Sequence, residues 1–406
     1  MDCGSFNHSI RLHWDDGGQD WLIRFPIPGS SMLCDEKTCN EVAVMKFIEQ
    51  NTNIPVPHVV GYGMSDENPT GLGPFIVMTW VEDLDEENNS WSVKSRPLGL
   101  EYNEMLRCAH LSDNHWPPRV YSTATDYFYK KSELRLTHLH KQRNSAYTSS
   151  DCREKYASSH LFRAIMPHFI NCGEDHGPFK LFCDDFCPRN VLVDDSLQIT
   201  AVIDWEFCYS APAQFLGSLP WWLLLGRPDV WLSRILPKNF LALYTPKFEL
   251  FCQIMEEKEN AGAGYPTEHP SERLSVQMRR SMESKTIWFN AAARSCYGFD
   301  RIYWDMLDEF CFGPQESIAE RVTKATTDVG MYSDREDLVR RKIEDLREYY
   351  AARGCDKEAL PSDNQDISSA PVVVKEIEEK TLEQSLTVTS LQDNQDQSPR
   401  SSISKT

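Results

Sequence analysis

The sequence predicts an α+β fold in two lobes, a small strand-rich one over residues 1–81 and a larger helical one over residues 82–353. Three observations point to it. The opening stretch alternates short apolar runs with Pro/Gly turns around one helical pattern. The region after it keeps apolar side chains at three- and four-residue spacing. Near residue 180 that spacing gives way once to strand, loop and strand.

In chain order, Ser9-Ile10-Arg11-Leu12-His13-Trp14 alternates, Asp15-Asp16-Gly17-Gly18 is turn chemistry, and Trp21-Leu22-Ile23-Arg24-Phe25 is a second strand closed by Pro26, Pro28 and Gly29. Thr38-Cys39-Asn40-Glu41 fits a capping box, and Val42, Met45 and Ile48 share one helical face. Pro55 and Pro57 stop that helix. A short strand follows near His58 to Tyr62, then a turn from Asn68 to Pro74, then the apolar strand Phe75-Ile76-Val77-Met78. Residues 85–90 read as an acidic loop. Helical spacing returns at Met105 to Leu111, Tyr127 to His140 and Tyr156 to Ile170, and again from Phe207 to about Arg353.

Charge narrows the function classes. With 42 basic and 61 acidic side chains the formal net charge is −19, which repels phosphate backbones and anionic lipid and argues against nucleic-acid or membrane binding. The richest apolar run, Phe215 to Gly226, is shorter than a membrane span needs and is broken by Pro220. The first residues carry no apolar signal segment. Thirteen cysteines, odd in number and never in C-x-x-C pairs, suit reduced thiols and a cytoplasmic location. No H-E-x-x-H helix, G-x-S-x-G elbow, Walker A loop or G-x-G-x-x-G fingerprint occurs.

The chemistry concentrates in Cys183-Asp184-Asp185-Phe186-Cys187-Pro188-Arg189-Asn190-Val191-Leu192-Val193-Asp194, followed by Thr200-Ala201-Val202-Ile203-Asp204-Trp205-Glu206. A lone D-x-x-x-x-N says little. Here the Asn opens an apolar strand, a polar turn follows, and a second apolar strand ends at Asp204. That order brings Asp185, Asn190 and Asp204 together, the hard oxygen donors that Mg²⁺ and a phosphoryl group require.

These residues resemble the catalytic loop and metal motif of the aminoglycoside phosphotransferase (choline kinase-like) family, in its fungal-type members of unassigned substrate. Gly4-Ser5-Phe6-Asn7 is similar to the family's nucleotide-covering turn, Trp21 to Pro26 to its third strand, and Thr52 to Pro57 and Gly73 to Met78 to its lead-in to the interlobe hinge. Ala211-Pro212 through Leu225 is similar to the segment after the metal Asp. The resemblance spans about residues 4–350 and implies a two-lobed protein-kinase-like fold and an ATP- and Mg²⁺-dependent transfer to a small-molecule hydroxyl. It implies Asp185 as general base and Asn190 and Asp204 as Mg²⁺ ligands. It further implies Arg24 as the phosphate-pairing cation, Glu41 as its helix partner, Ser5, Phe6 and Asn7 over the nucleotide, and Thr79 and Val81 at the adenine hinge.

Three features depart from the family pattern. Cys183 stands where His is usual, Arg24 where Lys is usual, and the family's first strand is mostly missing. They motivate a second reading, a silent pseudoenzyme that binds nucleotide or metabolite. Asp185, Asn190 and Asp204 also suit cap and turn positions, Glu41 can reach back to the Thr38 amide, and Arg24 can be an edge residue. Cys183 and Cys187 read as packed thiols, His138 and His140 as surface, and Trp221 and Trp222 as core or as the wall of an acceptor pocket. The acidic body favours a cationic acceptor such as an amino sugar or amino alcohol, although a solvated acidic surface accounts for the same charge.

From Cys355 onward no aromatic residue occurs and 10 acidic face 5 basic side chains. So polar a segment cannot offset its ordering entropy, and residues 354–406 are expected to be a disordered acidic, Ser-rich tail. Truncation after Arg353 should therefore leave the melting temperature within a few degrees of the full chain. A larger drop in differential scanning calorimetry would mean that the tail docks.

Overall fold

Apolar–polar alternation near the N-terminus forms the predicted strands, shifted slightly. The computed structural model describes residues 2–353, apart from residues 16, 80–92, 94, 110, 112–114, 117, 263–269, 296 and 328. Strands β1 (Asp2–Cys3), β2 (Asn7–Leu12), β3 (Trp21–Pro26), β4 (Val59–Gly63) and β5 (Phe75–Thr79) make one antiparallel sheet in the order β1-β2-β3-β5-β4. Ser9 to Trp14 was the predicted span for β2. The strand stops at Leu12, where the Asp20 carboxylate accepts from Arg11 Nε (2.6 Å) and contacts His13 Nδ1 (2.8 Å).

Helix α1 (Cys34–Asn51) begins one turn earlier than the capping-box reading placed it. Leu33 turns the chain with a left-handed φ of 51°, Asp35 and Glu36 complement the dipole in the first turn, and Thr38 is buried inside the helix rather than capping it. The predicted apolar face is correct: Val42, Met45 and Ile48 pack with Val59, Ile76, Met78, Val202 and Trp205 in one buried cluster.

The remaining helices are α2 (Leu100–Ala109), α3 (Ala124–Lys141), α4 (Ser149–Phe169), α5 (Pro228–Leu232), α6 (Pro237–Asn260), α7 (Leu274–Glu283), α8 (Thr286–Arg294), α9 (Phe299–Ile302), α10 (Glu309–Phe312), α11 (Ile318–Ala325) and α12 (Val329–Ala351). Between α4 and α5 lie β6 (Phe179–Cys183) with β9 (Cys208–Pro212), and the hairpin β7 (Val191–Val193) and β8 (Ile199–Val202). The molecule is thus α+β. The chain divides into two units, Met1–Gln142 with Glu154–Tyr332, and Arg143–Arg153 with Ser333 onward. In the second unit Arg153 grips Glu336 through two hydrogen bonds of 3.0 and 2.9 Å. The lobe boundary expected near residue 81, and the tail beyond 353, lie outside the described residues. Among those described, no helix is long and apolar enough to cross a membrane.

An aromatic stack centres the helical core of the first unit. Phe289 on α8 is fully buried between Phe162 (centroids 4.9 Å, 16° between planes) and Phe169 (4.9 Å, 9°), both on α4. Truncating so enclosed a ring forfeits its transfer energy and leaves a cavity, about 3–5 kcal/mol together. Phe289→Ala should lose that much in urea unfolding. A loss below about 1 kcal/mol would mean that the stack collapses onto the gap.

Candidate functional site

Cys183 pairs with Cys208 at the end of β6 and β9, and the Asp184 amide extends the ladder to Phe207 O at 3.1 Å. The chain then turns through a short 3₁₀ segment, Pro188–Asn190. Asn190 closes this loop: its amide donates to Cys187 O (3.0 Å), and its Nδ2 donates to Asp185 O (3.0 Å). Its Oδ1 accepts no hydrogen bond among the described residues. The predicted hairpin follows, with Val191 opposite Val202 and Leu192 opposite Ala201. At its tip the Asp194 side chain accepts from the amides of Ser196 (2.8 Å) and Gln198 (2.9 Å). The Ile203 amide returns to Asn190 O at 2.9 Å and sets Asp204 beside the loop. Asp204 has φ 68°, a left-handed backbone that costs a non-glycine residue about 1–2 kcal/mol.

Arg24 on β3 joins this segment to α1. Its Nη1 lies 2.6 Å from Glu41 Oε1, and its Nη2 lies 2.6 Å from Asp204 Oδ1 and 3.6 Å from Glu206 Oε2. Glu41 is thus the helix partner of Arg24, and the capping-box and edge-residue readings of the two fall. Glu206 also holds the Lys37 ammonium and accepts from Asn7 Nδ2 (2.7 Å), while Lys37 donates to Ser31 Oγ (2.8 Å). Two cations against three carboxylates leave one surplus negative charge. Burial raises the Glu41 carboxyl from its ordinary value, with Arg24 opposing and Glu206 adding to the rise; these carboxylates raise Arg24 in turn, against its burial.

Asp185 and Asp184 are neighbours with separate surroundings. Asp185 is partly buried, and that burial pushes its carboxyl up to about 6; Arg227 and Arg189 pull it down, and Asp204 adds to the rise. Asp184 is anchored by the Leu100 amide (3.1 Å), the Tyr209 hydroxyl (3.3 Å) and Arg294 Nη1 (3.4 Å). Gly99 permits this, since a Cβ there would lie 2.5 Å from Asp184 Oδ2. The Cys183 thiol is pushed well up by its hydrogen bond with the Cys208 thiol and by burial.

At the covering turn the Gly4 amide donates to Asn7 O (2.9 Å), Phe6 packs edge-on against Phe207 (5.0 Å), and the buried Asn7 side chain is committed to Glu206. Of the hinge pair, Thr79 gives its amide to His58 O (2.9 Å), and Val81 lies outside the described residues. The sequence reading missed Lys37 and Glu206. Had α1 been started at Cys34, Lys37 and Glu41 would have shared a face at four-residue spacing.

Asp204 and Asn190 offer a carboxylate and an amide oxygen in a region of surplus negative charge, a donor set that fits Mg²⁺. No group of three His, Cys, Asp or Glu among the described residues could hold an ion. Mg²⁺ needs none, because it takes one or two carboxylates and completes its shell with phosphates and water.

Comparison with known proteins gives a relative and a family. The chain is 24% identical over 262 residues to the Clavilactone A biosynthesis cluster protein Y of Ampulloclitocybe clavipes, a match covering 53% of this chain and 62% of that relative. The chain thus spans about three fifths of the relative's length. A model of the phosphotransferase enzyme family, APH, matches residues 4–215, just over half of the chain and the whole stretch from Arg24 to Asp204. The chain therefore belongs to the phosphotransferase enzyme family.

Proposed function

We propose that this protein is an ATP- and Mg²⁺-dependent phosphotransferase acting on a hydroxyl of a small molecule. The fold would be the two-lobed, protein-kinase-like one, with lobes over 1–81 and 82–353. The supporting observation is the meeting of Arg24, Glu41, Asp185, Asn190 and Asp204, drawn from β3, α1, the loop after β6 and the end of β8. The named relative belongs to a biosynthesis cluster, which suits an acceptor drawn from small-molecule metabolism. The ten cysteines with described side chains are free thiols, which suits the cytoplasm.

In this reading Asn190 and Asp204 would hold Mg²⁺, which would offset the charge of the nucleotide phosphates. Arg24, fixed by Glu41, faces the same phosphates. Ser5, Phe6 and Asn7 cover the nucleotide, and Thr79 and Val81 flank the adenine. Asp185 orients the acceptor hydroxyl and takes its proton as the acceptor oxygen bonds to the γ-phosphorus. The bond from that phosphorus to the β-bridging oxygen breaks, and ADP leaves.

One observation favours the second reading, a silent nucleotide- or metabolite-binding module. Arg24 already pairs with an oxygen of Asp204, so a cation of the chain competes for the metal's ligand.

Two substitutions separate the readings. Asp185→Asn should keep Mg-ATP affinity within a few-fold in calorimetry while turnover falls roughly 10²–10⁴-fold. Asp204→Asn should lose both. The wild-type rate should fall as pH drops through about 6 or below, since protonation removes the base and a bound cation only draws that carboxyl down. Nucleotide binding without any turnover that Asp185→Asn abolishes would establish the silent module.

A further inference from the structure

Beside the catalytic loop lies a small cleft, partly open to solvent, whose lining includes Asp184, Trp221, Arg227, Asp229, Arg294 and Ser295. The cleft adjoins the proposed base: Arg227, on its wall, is the cation that most opposes the upward shift of Asp185, the neighbour of Asp184.

Its polar groups are unevenly satisfied. Asp184 already accepts from Leu100, Tyr209 and Arg294. Asp229 accepts from Ser295 Oγ (3.2 Å); its burial lifts the carboxyl from its ordinary value, and Arg227 and Ser295 oppose that rise. The donors are the opposite case. Arg227 Nη2 and Arg294 Nε are both buried, and neither has a hydrogen-bond partner among the described residues. Aromatic rings hold both guanidiniums: Arg227 lies 5.7 Å from the Trp221 ring centre, and Arg294 lies 4.6 Å from Phe182 and 5.3 Å from Phe215. A buried donor left unpaired is costly, and planar guanidinium forks match carboxylates.

Resting on the phosphotransferase reading above, we infer that this cleft takes the acceptor and that the acceptor is a hydroxy acid, its carboxylate held by Arg227 and Arg294 while its hydroxyl meets Asp185. Amino sugars and amino alcohols are disfavoured, because a cation would face two guanidiniums and acids that are already bonded. The acidic total charge of the chain does not extend to this cleft.

The test is calorimetric binding to the full chain with Mg²⁺ and a non-hydrolysable ATP analogue. The probes are shikimate, quinate and 4-(hydroxymethyl)benzoate, against ethanolamine, choline, glucosamine and inositol. Acids should bind in preference to amines and inositol. Arg227→Gln, and the milder Arg294→Lys, should each weaken the acids at least tenfold while nucleotide affinity stays within twofold. Preference for an amine or for inositol, no binding of any acid, or acid binding unchanged in both variants overturns the assignment. Nucleotide binding that still needs Asp204 would leave the phosphotransferase reading standing in those cases. Acid binding that needs Arg227 in a chain that binds no nucleotide would instead keep the cleft and sink the phosphotransferase reading.

Discussion

The guanidinium of Arg24 is the interaction on which the site depends. One planar group reaches a helix carboxylate and the carboxylate that ends the hairpin, each at 2.6 Å, so the sheet, α1 and the segment around Asp204 share one anchor. A compact ammonium lacks that fork, which gives the Arg at this position a physical sense. Lys37 and Glu206 add a second buried pair alongside, and Asn7 bonds to the same Glu206, linking β2 to the cluster. Such clusters stabilise only while complete. Removing one partner of a buried pair leaves an uncompensated charge and typically costs about 3–5 kcal/mol.

Much of this was legible in the sequence, for local reasons. The hairpin carrying Asn190 to Asp204 announces itself through two short apolar runs around an Asp-Asp-Ser turn, and the strand carrying Arg24 through an apolar run bounded by turn residues. The start of α1 was not legible, because Thr38 to Glu41 has the form of a cap, whereas the real start rests on a left-handed leucine and two acids. Lys37 was invisible because a lysine near a helix start normally reads as solvated, and only tertiary packing supplies its Ser31 and Glu206 partners. Arg227 follows a Trp-rich loop with no motif around it. Only the fold brings it to Asp185.

The charge of the chain illustrates a related limit. A net −19 describes the long-range field and bears on steering and solubility. Recognition in a cleft is decided by which donors and acceptors remain free after the protein has satisfied its own. By that measure the cleft beside Asp185 has donors to spare, and composition alone pointed the other way.

The left-handed backbone at Asp204 has an evolutionary consequence. Position 204 carries two constraints, a carboxylate paired with Arg24 and a positive φ, a conformation that Gly, Asn and Asp adopt most readily. A lineage in which the carboxylate became dispensable would still be filtered by the backbone. Drift there should therefore run to Asn or Gly and seldom to Ala, Val or Ser, so that homologues that have abandoned the chemistry carry a recognisable residue at this site.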